Sequence, residues 1–236
     1  MPITLNISVV KLNQALSDKD TLDAFALAIA IKLKYSSSVI HKADIRNLKL
    51  KFGIGTEKAS KAFKNALRLG YISEYENMFV ANKVAAKYYG NTKLVFDCAI
   101  TLKNVIRELK KLSILNHISV NNKVYSLKST ASNPSNLKEF KDAKAKISKW
   151  GINKFNTDGG LSYAAIAKVA KTSQRTAITL IKELVSEAKI KKQTFKLEVF
   201  NKFIENKGLN LRNVFEFNGI TYHQRSNAYS PLQLLV

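Results

Sequence analysis

The sequence predicts a mainly helical chain with small β-hairpins, built from two copies of one unit. Three observations predict it. First, Leu161 to Ile190 reads as two helices about a tight turn. Ala164, Ile166, Ala167 and Ala170 form the apolar face of one helix, and Ala177, Leu180, Ile181 and Leu184 the stripe of the other. Second, the same pattern stands 118 residues earlier. There Ile45 falls on Tyr163, Leu48 on Ile166, Phe52 on Ala170, Ala59 on Ala177, Ala62 on Leu180, Phe63 on Ile181, Ala66 on Leu184 and Ile72 on Ile190, core upon core with few identities. Third, strand-forming runs follow the second helix of each pair. Helix, short strand, helix, turn, helix, hairpin is the order of a winged helix-turn-helix. The expected fold class is therefore tandem winged helix-turn-helix domains, mainly α with small β-wings. The first occupies residues 1–130 with an extra helix and hairpin, and the second residues 131–236.

Taken in order, Ile3, Leu5, Ile7 and Val9 alternate with polar residues, so residues 1–18 read as an extended strand or arm. Asp20 or Thr21 starts a helix to about Tyr35, ended by Ser36 to Ser38. Val39 to His41 reads as a short strand, and Lys42 to Phe52 as a second helix with Ile45, Leu48 and Phe52 on one face. Gly53 and Gly55 bracket Ile54 in a turn that tolerates positive φ. Thr56 opens a third helix with Ala59, Ala62, Phe63, Ala66 and Leu67 inward, and Gly70 stops it. Tyr71 to Asn82 reads as two strands about Glu76 and Asn77.

In the middle, Leu94 to Ile100 is either a strand or the start of a helix, with Cys98 in the core. Thr101 to Leu112 is a helix with Leu102, Val105, Ile106 and Leu109 inward. Ile114 to Val120 and Lys123 to Leu127 read as a hairpin about Asn121 and Asn122, and Ser129 to Ser135 as a linker. This region either extends the first domain or forms a dimer contact. Asn136 to Trp150 reads as a helix, with Phe140, Ala143, Ile147 and Trp150 along one side, and Asn156 to Gly160 as a turn. Lys171, Thr172 and Ser173 break the later helix pair, and either Thr172 or Ser173 caps its second member. Lys189 to Leu197 is a basic strand and Glu198 to Lys207 a short inserted helix ended by Gly208. Val214 to Phe217 and Ile220 to His223 flank Asn218-Gly219, the pair that a type I′ turn requires.

Charge decides the partner class. Lys and Arg number 39 against 17 Asp and Glu, a net charge of +22, while 46% hydrophobic residues supply a core. Such an excess attracts polyanions. Double-stranded DNA is the expected partner and a membrane surface the alternative. The longest apolar run, Ala24 to Ile31, is too short to span a bilayer, so no membrane partner is expected through a helix. Met1 to Leu16 lacks a basic region before an apolar run, so no cleaved leader is expected and the protein should reside in the cytoplasm with the DNA. One cysteine excludes an internal disulfide and a Cys-rich zinc site. No HExxH, GxxxxGK[ST] or paired-carboxylate motif is present. Tyr88, Tyr89, Tyr222 and Tyr229 lack the metal-binding His pair that a nicking tyrosine needs. The expectation is a non-enzyme without metal or cofactor.

DNA contacts divide into those that position and those that specify. For positioning, Lys58, Lys61, Lys64 and Arg68 lie on the polar side of the earlier second helix, and Lys168, Lys171, Lys189, Lys191 and Lys192 flank the later one. For specifying, Arg175 suits guanine, Gln174 suits adenine, and Ile178 packs on a thymine methyl. Thr179 and Lys182 complete that exposed face, and Arg225 follows the last hairpin, where it either enters a minor groove or ends a strand as a plain cation.

The run from Thr172 to Ile190, TSQRTAITLIKELVSEAKI, resembles the winged-helix domains of phage and plasmid replication initiators and related regulators. Their recognition helix runs Ser-x-x-Thr, an apolar residue, then Leu, with Gly-x-Ile entering the wing. Ser173, Thr176, Ala177, Ile181, Leu184 and Ile190 occupy those positions, and Ala188 stands where Gly is usual. The ending RSNAYSPL is similar to the last wing strand of that group: Asn227 and Tyr229 match its Asn-x-Tyr-x-Leu pattern, with Leu232 one residue late. The first copy carries Gly70 and Ile72 but has Lys58 in place of Thr. The resemblance implies sequence-specific DNA binding. Through the tandem arrangement it implies replication initiation for a phage or mobile element, with helicase or primase as further partners and a homodimer as a possible state. A transcriptional regulator of the same fold and a virion or nucleic-acid-packaging protein are the rival expectations.

Overall fold

A computed structural model describes residues 3–35, 37–42, 47–87, 90–132, 138–139, 141–142, 145, 161–193, 196–198, 214–217, 220–224 and 228–231. They form a helix-rich mixture of α and β structure whose small sheets are all antiparallel. Two compact units make up the chain. One comprises Met1–Asn116 with Ala167–Leu180 and Leu235–Val236, the other His117–Ile166 with Ile181–Leu234.

The first unit is organised on a helix whose central ten residues are all buried. Strand β1 (Ile3–Ser8) leads into helix α1 (Val9–Ala15), and Asp18 then caps helix α2 (Lys19–Lys34). The Asp18 carboxylate accepts from the Thr21 amide at 2.9 Å and from the Thr21 hydroxyl. These hydrogen bonds favour its ionised form and lower its pKa. Every residue from Leu22 to Ile31 is buried. A helix that is apolar all round belongs inside a core, and here Ala24, Ala26, Ala28 and Ala30 alternate with Phe25, Leu27, Ile29 and Ile31, all at most 1% exposed. The small residues let neighbours approach while the large ones fill the space, each worth roughly 1.5–3 kcal/mol of burial. Lys32 and Lys34 in the last turn suit the negative end of the helix dipole.

Around α2 stand strand β2 (Val39–His41), helix α3 (Leu48–Phe52), helix α4 (Thr56–Arg68) and the hairpin of β3 (Ile72–Tyr75) and β4 (Met78–Ala81). The sheet order is β2-β4-β3, so the short strand joins the hairpin as its third member. Phe63 meets Phe79 edge to face, with ring centroids 4.9 Å apart, and Phe25 meets Tyr71 in the same way at 5.1 Å. β5 (Asn91–Phe96) pairs with β1 and buries Thr92, Leu94 and Phe96 on alternate positions.

Several expectations change. The alternation through Val9 stops at Ser8, because Ser8 accepts from the Lys11 amide at 3.4 Å and Val9 begins α1 with Leu12 and Ala15 buried. Cys98 is exposed, since β5 ends at Phe96 before the alternation reaches it. Gly55 caps α4 at an ordinary φ of −63°, so only Gly53, at 62°, needs the freedom of glycine in that turn. The expected hairpin at 114–127 is instead part of one helix, α5 (Leu102–Ser132), which also takes up the start of the expected linker. Leu102, Val105, Leu109, Leu112, Leu115 and Ile118 recur every three or four residues and are buried. That period outweighs the turn chemistry of Asn121 and Asn122, of which Asn121 is buried. The expected Lys42 to Phe52 helix is α-helical over Leu48–Phe52, and its residues 43–46 lie outside the described residues, as do much of Asn136 to Trp150, the Asn156 to Gly160 turn, nearly all of the Glu198 to Lys207 helix and the Asn218-Gly219 turn.

The later elements are helices α6 (Tyr163–Val169) and α7 (Gln174–Ser186) and strands β6 (Ile190–Gln193), β7 (Lys196–Glu198), β8 (Val214–Phe217), β9 (Ile220–Gln224) and β10 (Ala228–Pro231). At the offset of 118, α7 coincides with α4 and β6 with β3, end for end. The hydrogen bonds coincide too. In the first copy Tyr71 donates its amide to the Ala66 carbonyl at 2.9 Å and Gly70 to Leu67 at 3.0 Å. In the second, Lys189 donates to Leu184 at 2.9 Å and Ala188 to Val185 at 3.1 Å. Both are Schellman endings, which place one residue in the left-handed region: Gly70 at φ 69° and Ala188 at φ 53°. The turns before the helices match likewise, Gly53 at 62° against Lys171 at 45°. The copies differ in the hairpin. β3 turns back into β4 through Glu76 and Asn77, whereas β6 pairs with β10, and the sheet β7-β9-β8 is inserted between them in sequence.

Left-handed alanine costs roughly 1–2 kcal/mol, and the space around Gly70 is open. Gly70→Ala should therefore lower unfolding free energy by about 1 kcal/mol. Ala188→Gly should change it in the opposite direction or leave it level, because the gain is partly cancelled by greater unfolded-chain freedom. Urea denaturation of both variants checks the sign.

Candidate nucleic-acid interface

Each copy presents the outer side of one helix. In α4 the inner face is Ala59, Ala62, Phe63 and Ala66, all buried, and the outer stripe is Glu57, Ser60, Lys64 and Arg68, all exposed. In α7 the inner face is Ala177, Leu180, Ile181 and Leu184, all buried. Its matching outer stripe is Arg175, Ile178, Lys182 and Ser186, exposed apart from half-buried Ile178. The stripe on α7 therefore begins with a guanidinium where the stripe on α4 begins with a carboxylate.

The start of α7 is fixed by Ser173. Its hydroxyl accepts from the Thr176 amide at 3.2 Å and lies 2.9 Å from the Thr176 hydroxyl. This selects Ser173 over Thr172 as the cap and fixes the first turn, on which Gln174 and Arg175 are exposed. The Thr179 hydroxyl donates to the Arg175 carbonyl at 3.2 Å, so its proton is committed to the helix itself.

Lys58 and Lys61, expected to reach phosphates, face α2 instead. Lys58 Nζ is 3.1 Å from Asp23 Oδ2 and Lys61 Nζ 2.8 Å from Asp20 Oδ2. Asp23 is only 7% exposed, so Lys58 neutralises a carboxylate that water barely reaches. The Asp20 hydrogen bond and charge raise the Lys61 pKa. Among the described residues no ion pair is formed by Lys64, Arg68, Arg175, Lys182 or Lys191, and Lys171 is exposed on its left-handed turn.

The strands after the helices diverge in the same sense. Ser73 and Glu74 of β3 correspond to Lys191 and Lys192 of β6, and Glu74 is paired with Lys42 at 2.7 Å. Lys191 is exposed, while Lys192 Nζ donates to the Tyr163 hydroxyl at 3.0 Å. β10 sets Tyr229 opposite Lys192 and Ser230 opposite Lys191 in register. Of the flanking lysines, Lys168 is exposed and Lys189 pairs with Glu187 at 2.8 Å. Arg225 lies outside the described residues.

The structure thus brings Arg175, Thr179 and Lys182 onto one helix side, with Gln174 exposed in the first turn, and divides the first-copy cations between an outer pair, Lys64 and Arg68, and a tethered pair, Lys58 and Lys61. Sequence reading missed Asp20, Asp23 and Tyr163. The aspartates left a signal in their spacing: they stand three apart on one helix, as Lys58 and Lys61 do on another. Among the described residues no group of three or more His, Cys, Asp or Glu side chains is placed to hold a metal ion, and no helix is long and apolar enough to cross a membrane. His41 lies in β2, His117 in α5 and His223 in β9, and burial lowers the pKa of His117. Comparison with family models, curated proteins and solved structures found no match.

Removing Lys58 leaves the Asp23 carboxylate without its ion pair. Lys58→Ala should cost about 1–3 kcal/mol of stability, whereas Lys64→Ala should stay within about 0.5 kcal/mol. Parallel denaturant titrations of the two variants make the comparison.

Proposed function

We propose that this chain is a sequence-specific double-stranded-DNA-binding protein with two winged helix-turn-helix units, the second of which carries the reading helix. The observation that carries the proposal is the repeat: helix, Schellman ending and following strand recur at one offset, and in the second copy they expose Arg175, Lys182 and Lys191. An exposed helix opening on Gln and Arg has the donors that base edges require, and lysines at the entry to the hairpin suit the adjacent phosphates. The net charge of +22 supports the same partner.

Its role on this reading is to start replication of a phage or mobile element, marking an origin and recruiting helicase or primase. The resemblance of the run from Thr172 to Ile190 to replication initiators supports that role. A genome-wide binding map tests it. Iterated sites beside an AT-rich segment are expected, and a single promoter-proximal site would identify a transcriptional regulator instead.

Contacts to bases and to phosphates respond differently to substitution. Arg175→Ala should cost about 1–3 kcal/mol on the cognate site and relax preference at one base pair. Lys191→Ala should weaken cognate and scrambled duplexes alike and reduce the salt slope by about 0.9. Titrations of both variants on both duplexes across a salt series separate the classes; equal losses for Arg175→Ala on the two duplexes would make it a phosphate contact.

A further inference from the structure

We infer that Asp20 and Asp23 hold Lys58 and Lys61 of α4 away from DNA, so that the second copy carries most of the salt-dependent contact. This inference rests on the DNA-binding reading and refines it by naming two residues that set how the copies share affinity.

The geometry is a double cross-link. Asp20 and Asp23 stand one helical turn apart on α2, Lys58 and Lys61 one turn apart on α4, and each acid meets one lysine, at 2.8 and 3.1 Å. Each lysine ammonium is thus engaged by a carboxylate, and full pairing with a phosphate competes with that contact. For Lys58 that would strand the buried Asp23 carboxylate. For Lys61 it would break an exposed pair, a smaller but finite competition. Two acids and two bases leave the quartet neutral, and the remaining outer stripe of α4 sets Glu57 against Lys64 and Arg68.

Among the described residues the second copy has no such quartet. At the offset of 118, Lys138 and Lys141 stand for Asp20 and Asp23, and Thr176 and Thr179 for Lys58 and Lys61. The cancellation of charge is therefore a property of the first copy, and its source is the two aspartates.

The test is a double-mutant cycle in the full-length chain, read by DNA affinity across a salt series. Asp20 is half-buried with its side chain 46% exposed, and Asn is nearly isosteric with Asp, so Asp20→Asn removes the tether without opening the core. It should raise affinity about 2- to 5-fold, the strength of an exposed ion pair that no longer competes, and steepen the salt slope by about 0.9. Lys61→Ala should leave the slope of the wild-type chain unchanged but lower that of the Asp20→Asn chain by about 0.9. Asp23→Asn, checked for folding by circular dichroism, should act on Lys58 in the same way. Additive effects of Asp20→Asn and Lys61→Ala would overturn the inference, because a mere loss of negative charge adds without coupling. Wild-type chain that binds no duplex DNA at low salt would overturn the DNA-binding reading beneath it.

Discussion

Burial of Leu22 to Ile31 of α2 on every side is the constraint on which the first unit depends. A stretch buried on every side must be covered on every side, and the cover includes α4 and the β3–β4 hairpin. α4 contributes Ala59, Ala62, Phe63 and Ala66 to the core, which turns Lys64 and Arg68 outward. The hairpin contributes Ile72, Phe79 and Ala81. The first turns of α2 carry Asp20 and Asp23 to the flank of α4. Surface chemistry here is a consequence of core packing: Lys58 and Lys61 meet carboxylates of α2, while Lys64 and Arg68 on the outer side of α4 meet solvent.

The repeat separates what the backbone requires from what the surface is free to change. Helix limits, Schellman bonds and the left-handed residue after each helix coincide between copies, although glycine supplies that conformation at position 70 and alanine at 188. Hydrogen bonding and apolar spacing therefore set the backbone conformation at those positions, with glycine lowering its cost. Charge differs on this common frame. Where the first copy has Glu57 and Glu74 the second has Arg175 and Lys192, and among the described residues the acid–base quartet has no counterpart. The first copy ties Lys58 and Lys61 to aspartates, whereas among the described residues Arg175, Lys182 and Lys191 of the second form no ion pair.

Much of this was legible in the residues. The apolar periods located α2, α4 and α7, Gly70 marked a helix end, and the offset of 118 placed β6 opposite β3 in the repeat. The failures have physical causes. Asn121 and Asn122 carry turn chemistry, and only the longer run from Leu102 to Ile118 shows that a helix overrides it. Cys98 continues an apolar alternation in sequence, but the strand ends first. Lys58 and Lys61 look like any other solvent-facing lysines until α2 and α4 are brought together. A sequence gives the side of a helix on which a charge lies, but its partner on another helix depends on how the two pack.

Hydrogen exchange of the full-length chain with and without cognate duplex DNA tests the central claim most directly. The account predicts that bound DNA slows exchange in Gln174–Ser186 and Ile190–Gln193, with a smaller effect in Thr56–Arg68. Protection confined to Thr56–Arg68 and the β3–β4 hairpin, or none in α7, would contradict it.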